Sequence, residues 1–242
     1  MTDKRIIDNF ISKYHLGGTI ERVKWVSDGE SLKADFINDS QNLVGNVVTK
    51  NFKFPIGEFG IYSTSTFSKM LGILENEVMF EVKKEGGTPA RFTVGDTAMD
   101  INFNLADPQV IPNVPNINKT EGDIHLELDE EFTTRFVKSK DAVGEEVFYV
   151  STQDGFTSKE VKFTIGNSTS NSVSFAASIE PGSDEAELKD IPFNSNFVKE
   201  IFKHNKRFDS GTLKINPKGL MIFAFKFGDL ETSYYLVRNQ NQ

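Results

Sequence analysis

Cysteine is absent from the 242 residues. That excludes disulfide scaffolds, thiolate metal sites and cysteine nucleophiles together. Histidine is scarce: His15, His125 and His204 lie far apart, in no H-x-H or H-x-x-x-H spacing. A histidine-based metal site has no support, and neither metal nor cofactor is expected. No apolar run approaches the roughly 18 residues of a spanning helix, so no membrane association is expected. The first residues, Met-Thr-Asp-Lys-Arg, carry charge where a secretion signal needs an apolar stretch. The expected location is cytoplasmic. Catalytic signatures are missing too, with no G-x-S-x-G, G-x-x-x-x-G-K-[ST] or G-x-G-x-x-G. Gly17-Gly18 and Gly86-Gly87 read as hairpin turns, not phosphate cradles. Asp129-Glu130-Glu131 is acidic enough to suggest a metal, but a helix N-terminus attracts carboxylates through its dipole. No catalytic residue is nominated, and the chain is not expected to be an enzyme.

What is present describes a globular α+β protein. Apolar residues make up 38% and charged residues 26%, with 22 Phe to fill a core. The length suits two modest domains. Three of the eight prolines, Pro108, Pro112 and Pro115, fall within eight residues. Proline fixes φ and lacks an N–H, so this stretch is expected to run extended over the surface. It is also apolar at Val110, Ile111, Val114 and Ile117, side chains expected to rest on something. The boundaries read as a first domain 1–107, a connector 108–121 and a second domain 122–242.

The two halves share an order of elements. Thr2 or Asp3 can cap a helix to about residue 14, with Ile7, Phe10, Ile11 and Tyr14 on one face. In the second half Asp129 opens a helix to about residue 142, with Phe132 and Phe136 one turn apart. Alternating segments at 19–26, 31–37 and 43–52 read as strands, matched by 146–151, 158–165 and 172–178. A second helix follows in each half, at 65–74 and 196–204. Three more strands close each one, at 77–82, 90–94 and 99–105, then at 211–215, 220–227 and 232–237. The pattern is a tandem duplication of a helix, three strands, a helix and three strands.

Positive charge gathers on the helices. Lys199, Lys203 and Lys206 recur at i, i+4 and i+7 with Arg207 beside them, roughly opposite Phe197, Val198, Ile201 and Phe202. Lys4, Arg5 and Lys13 lie on the first helix, Lys69 on the second, and Arg135, Lys138 and Lys140 on the third. The four segments 2–14, 65–74, 129–142 and 196–207 carry +1, +1, −1 and +3, while the chain totals −8, so the remainder carries −12. Lysine decorates exposed helices in many proteins. Here a basic helical surface without a base-reading motif suits sequence-independent phosphate contact, and the acidic remainder keeps DNA off other faces.

These features resemble the DNA sliding clamps, the ring-shaped processivity factors of replicative polymerases. The two-domain members are the most similar, those of T-even-type phages and, more distantly, proliferating cell nuclear antigen. The resemblance rests on the duplicated unit and on the apolar, proline-bearing connector. It rests also on Gly219-Leu-Met-Ile-Phe-Ala-Phe225 with Ser233-Tyr-Tyr-Leu-Val-Arg-Asn239, and on the turn Phe36-Ile-Asn-Asp-Ser-Gln-Asn-Leu-Val44. Where cellular clamps continue Tyr-Tyr-Leu-Ala-Pro, this chain has Val237-Arg238.

The resemblance implies two tandem clamp domains, each with two helices on the concave face of its sheets, and a head-to-tail homotrimeric ring. It implies a sliding clamp that encircles double-stranded DNA and confers processivity. The basic residues named above, from Lys4 to Arg207, would face the duplex. It also implies a pocket for short peptide motifs of the DNA polymerase and the clamp loader. Its candidate residues are Leu43, Val44, Val110, Ile111, Val114, Tyr235, Leu236 and Val237. The alternative is a phage tail or baseplate β-rich assembly protein, suggested by Asn167-Ser-Thr-Ser-Asn-Ser172 and the many short strands; it predicts no basic helical lining. An enzyme with an unrecognised carboxylate site is a further alternative, for which the sequence nominates no acid.

Overall fold

The computed structural model describes residues 2–115, 124–156, 158–167, 169–181, 183 and 186–239. The chain divides into two compact units. Unit 1 comprises Met1–Pro115 with Gly228–Thr232, and unit 2 comprises Asn116–Phe227 with Ser233–Gln242. Residues 116–121 of the expected connector, Ile117 among them, lie outside the described residues, as do Gly122 and Asp123.

In unit 1, strand β1 (Thr2–Asp3) leads into helix α1 (Lys4–His15). Strands β2 (Val23–Ser27), β3 (Leu32–Ile37), β4 (Leu43–Thr49) and β5 (Gly57–Ile61) follow. Then come α2 (Thr64–Leu71), β6 (Glu77–Glu85), β7 (Thr88–Gly95) and β8 (Asp100–Asn104). Unit 2 repeats the order with β9 (Ile124–Leu128), α3 (Glu130–Val143), β10 (Val147–Asp154), β11 (Lys159–Ile165), β12 (Val173–Ser178) and β13 (Ile191–Asn194). Helix α4 (Ser195–His204) and strands β14 (Ser210–Asn216), β15 (Leu220–Phe227) and β16 (Leu230–Val237) complete it.

The duplication extends to strand order. In unit 1 the strands run β5-β2-β3-β4 and β1-β6-β7-β8; in unit 2 they run β13-β10-β11-β12 and β9-β14-β15-β16. The repeat is therefore two strands larger than the helix, three strands, helix and three strands expected from sequence. Each half also has an opening strand and a fourth strand before its second helix. The missed strands carry weak signals. β1 has two residues. β5 contains two glycines after Pro55, and β13 contains Pro192. Proline is tolerated in β13 because it is an edge strand, pairing on one side with β10.

Caps form where the sequence placed them. The Asp3 carboxylate accepts from the Arg5 N–H at 2.9 Å, and Asp129 accepts from Phe132 N–H at 2.6 Å. The Asp129 carboxylate thus serves the helix. Gly86-Gly87 forms the β6–β7 hairpin turn. Gly17-Gly18, expected in a hairpin, instead closes α1 in a short 3₁₀ turn, where both glycines have positive φ.

Aromatic rings fill each core. In unit 1 the single Trp25 meets Phe10, Phe54 and Phe67 edge-on, with centroids 5.4–5.9 Å apart. Its indole N–H donates to the Tyr14 hydroxyl at 3.3 Å. In unit 2, Phe132 and Phe136 of α3 and Phe202 of α4 interlock with Phe163, Phe175 and Phe148. The stripe Ile7, Phe10, Ile11 and Tyr14 is buried, as are Val198, Ile201 and Phe202. Burying three such side chains contributes about 5–9 kcal/mol and orients α4. Phe197, expected on that stripe, is half-buried at its margin.

Candidate functional site

Helix α4 starts at Asn194, whose side chain accepts from the Asn196 and Phe197 N–H groups at 2.9 and 3.3 Å. With its apolar stripe turned inward, α4 turns Lys203 to solvent and leaves Lys199 half-buried. Both are ion-paired. Lys199 meets Asp141 of α3, and Lys203 Nζ lies 3.0 Å from Glu200 Oε1. The Lys199 hydrogen bond holds the Asp141 carboxyl below the usual range. Just past the helix, Lys206 and Arg207 are exposed and make no ion pair among the described residues.

Helix α3 offers less than its sequence suggested. Arg135 is exposed and tied to Glu131, while Lys138 is exposed with no ion pair among the described residues. Lys140 is only 5% exposed, and its ammonium donates to the Gly144 carbonyl at 2.8 Å. Burial first, and then the nearby Lys199 charge, push its pKa down.

In unit 1, Lys4 pairs with Asp8 at 2.6 Å and Arg5 with Asp3 at 2.7 Å. Lys69 of α2 is exposed with no ion pair among the described residues. Lys13 is 3% exposed, and burial lowers its pKa to about 8. Lys13 and Lys140 were expected to face DNA, and the structure withdraws both from solvent. The reason is helical phase. Lys13 lies about 60° around α1 from Phe10, and Lys140 about 40° around α3 from Phe136, so each flanks a buried stripe.

The expected peptide pocket also changes composition. Leu43 and Leu236 are fully buried core residues, and Val44 and Ile111 are buried as well. Their inward strand positions explain Leu43 and Leu236, since alternate residues point to opposite faces. Tyr235 and Val237 are half-buried in unit 2; Val114 is half-buried and Val110 58% exposed in unit 1. The connector begins with a 3₁₀ turn, Pro108–Val110, capped by the Asp107 carboxylate on Gln109 N–H at 2.9 Å. Expected simply to run extended, the connector accommodates Pro108 at the first position of this turn, where no N–H is needed. The turn after β3 is set by Asn38, whose Oδ1 accepts from Asn42 and Leu43 N–H, each at 3.0 Å. Beside it stand Arg22 and Tyr62, which the sequence did not single out. Arg22 pairs with Asp39 at 2.6 Å, and its guanidinium sits 5.9 Å from the Tyr62 ring centre.

No family model matches the sequence, and no curated protein matches it. Solved structures do. Proliferating cellular nuclear antigen from Entamoeba histolytica superposes with a TM-score of 0.74 at 15% identity, over 98% of this chain and 96% of that one. A. fulgidus PCNA, solved with the C-terminal region of FEN-1 bound, gives 0.73 at 13% identity, over 100% and 98%. This chain has the PCNA-like sliding-clamp fold. The matched region takes in both units of this chain. In this clamp-fold chain the residues that sequence reasoning missed include Asn205 and Tyr234. Asn205 is fully buried, and its Nδ2 donates to Tyr234 Oη and to the Ile201 carbonyl, each at 2.8 Å. An asparagine just past a helix was the available signal, since such residues often close the last turn.

Proposed function

We propose that this chain is a sliding clamp, which encircles duplex DNA and tethers a replicative polymerase to it. The observation that carries the reading is the coincidence of a duplicated clamp fold with helix-borne cations in a chain of net charge −8. Lys69, Lys138, Lys206 and Arg207 lie on the helices or just after them and make no ion pair among the described residues. Such cations favour phosphate contact without reading bases. Encirclement then explains how an acidic protein serves DNA.

Ring closure needs edges that can pair between copies. β9 engages Glu180 and Ser183 along its backbone, β5 bridges to Ala106, and Pro192 of β13 accepts from Asn239 N–H. β8 and β12, of five and six residues, end their sheets and, among the described residues, pair on one side only. In the proposed trimer, β8 of one copy adds to β12 of the next, a β-augmentation that removes two exposed edges at once. The binding of the FEN-1 C-terminal region to A. fulgidus PCNA supports short peptide segments of the polymerase and clamp loader as partners. The exposed Val110 and half-buried Val114 are the connector side chains offered to them.

The test is retention on a DNA circle. The protein, loaded onto a nicked circle with its cognate loader or under crowding, should stay bound in moderate salt and dissociate when a single cut linearises the circle. Equal retention on the linear form would refute encirclement. Native mass spectrometry should find three chains, and a strict monomer at high concentration would refute the ring.

A further inference from the structure

Unit 2 has a cavity of about 400 Å³ on the side of its sheet that carries α3. Phe132 and Arg135 of α3 line it, with Ala176, Ala177 and Ser178 at the end of β12 and Ile179 just beyond. Phe175 of β12 faces α3, its ring 5.6 Å from that of Phe132, so by strand alternation Ala177 shares this face. Phenylalanine fills the middle of the β12 edge, and alanine leaves its end hollow. The rim is acidic: Glu127 and Glu180 make no ion pair among the described residues.

Unit 1 has the opposite relief at the start of β8. Ile101 and Phe103 of β8 are buried, and the Phe103 ring lies 4.5 Å from that of Phe67 on α2. By the same alternation Met99 belongs to this helix-bearing face, but it precedes the strand and is 46% exposed. Ile73, just past α2, is 62% exposed. Two residues on, the Glu75 N–H donates to Asp96 Oδ2 at 2.7 Å, which ties that loop to the turn before β8. Lys69, one helical turn before Ile73, is exposed without an ion pair among the described residues. At the other end of β8, polar Asn104 accepts from Arg91 Nε–H at 2.9 Å.

We propose that the cavity of unit 2 is a socket for Met99, with Ile73 beside it, of a second copy of this chain. The inference rests on the clamp reading, in which β8 adds to β12, and names the side chains that lock that seam. Three observations select a second copy as the occupant. The cavity wall is β12, an edge left unpaired among the described residues. The projecting side chains stand at the start of β8, the other such edge, on the matching face. Lys69 brings a complementary charge to the acidic rim. The relief also fixes direction. Antiparallel pairing sets the start of β8 against the end of β12, so projection meets hollow; parallel pairing leaves Met99 on the order of 13 Å from Ala177. Methionine suits the role, since its unbranched chain adapts to an irregular hollow.

The chain has no cysteine, so introduced thiols report one contact at a time. M99C/A177C, treated with a short bismaleimide, should give a covalent ladder of two and three chains on a denaturing gel, and each single variant should stay one chain. N104C/A177C should stay unlinked, its thiols lying on the order of 17 Å apart in the antiparallel seam. M99S, a change at an exposed site, should raise the dissociation constant of each seam by roughly 10- to 150-fold in a sedimentation dilution series. M79S, at an exposed residue on the opposite face of the same sheet, should leave it unchanged. An unlinked M99C/A177C, a ladder from N104C/A177C instead, an unchanged constant in M99S or equal weakening by M79S overturns the socket. The clamp reading fails separately. Wild-type trimers with M99C/A177C unlinked would sink the socket and keep the ring. A full ladder from protein lost from DNA circles would keep the socket and sink encirclement, and a strict monomer would remove both.

Discussion

Gly60 of β5 faces Ala106, which follows β8 just before the connector, and replacing it by alanine tests that geometry. An alanine Cβ at position 60 would stand 2.4 Å from the Ala106 carbonyl oxygen and 3.0 Å from its carbon. Ordinary contact begins near 3.4 Å, so the Ala106 peptide must move by about 1 Å. The obstacle is backbone and cannot rotate away. The same two residues form a β-bridge in which Ala106 N–H donates to Gly60 O at 2.9 Å. Overpacking of this kind costs about 1–3 kcal/mol. Weakening the bridge adds about 1 kcal/mol. A total of about 2–4 kcal/mol corresponds to a fall in Tm of roughly 4–16 °C for a chain of this size. The reporter is built in. Trp25 is the only tryptophan and is fully buried in unit 1, so its fluorescence follows that unit in urea. The midpoint should fall with the slope unchanged. A loss under about 0.5 kcal/mol, the level of an indifferent surface change, would refute the reasoning.

Two further perturbations address buried polar groups. Lys13 has a native pKa of about 8 against an ordinary 10.5. Between these values the unfolded chain binds a proton that the native state does not, so stability rises with pH across that window by on the order of 3 kcal/mol. Below it the cost of the buried charge is fully present. Lys13→Met should therefore stabilise the protein at neutral pH and flatten the rise in urea melts from pH 8 to 10.5; parallel curves for the two proteins would contradict this. Tyr234→Phe removes the acceptor of the Asn205 Nδ2 donor, and a buried donor deprived of its partner costs about 1–3 kcal/mol. Calorimetry should register that loss, and an unchanged Tm would show that the Asn205–Tyr234 contact does not hold α4 to β16.

Composition and periodicity alone determined the broad architecture of this protein. The apolar stripes of α1, α3 and α4, their caps at Asp3 and Asp129, and the paired order of elements are local patterns with period 3.6 or 2, legible without any contact. The clustering of basic residues on helices and the apolar connector were legible for the same reason. Tertiary structure decided the rest. β5 and β13 carry glycine or proline and become strands only because a neighbour completes their hydrogen bonds at a sheet edge. Which lysines remain available was likewise undecidable from spacing. Lys13 and Lys140 sit at the margin of a stripe, where a few tens of degrees separate solvent from core. Lys199 is matched by Asp141, 58 residues away, and Asn205 by Tyr234, 29 away. Partners that distant in sequence are chosen by packing, and local pattern holds no record of them.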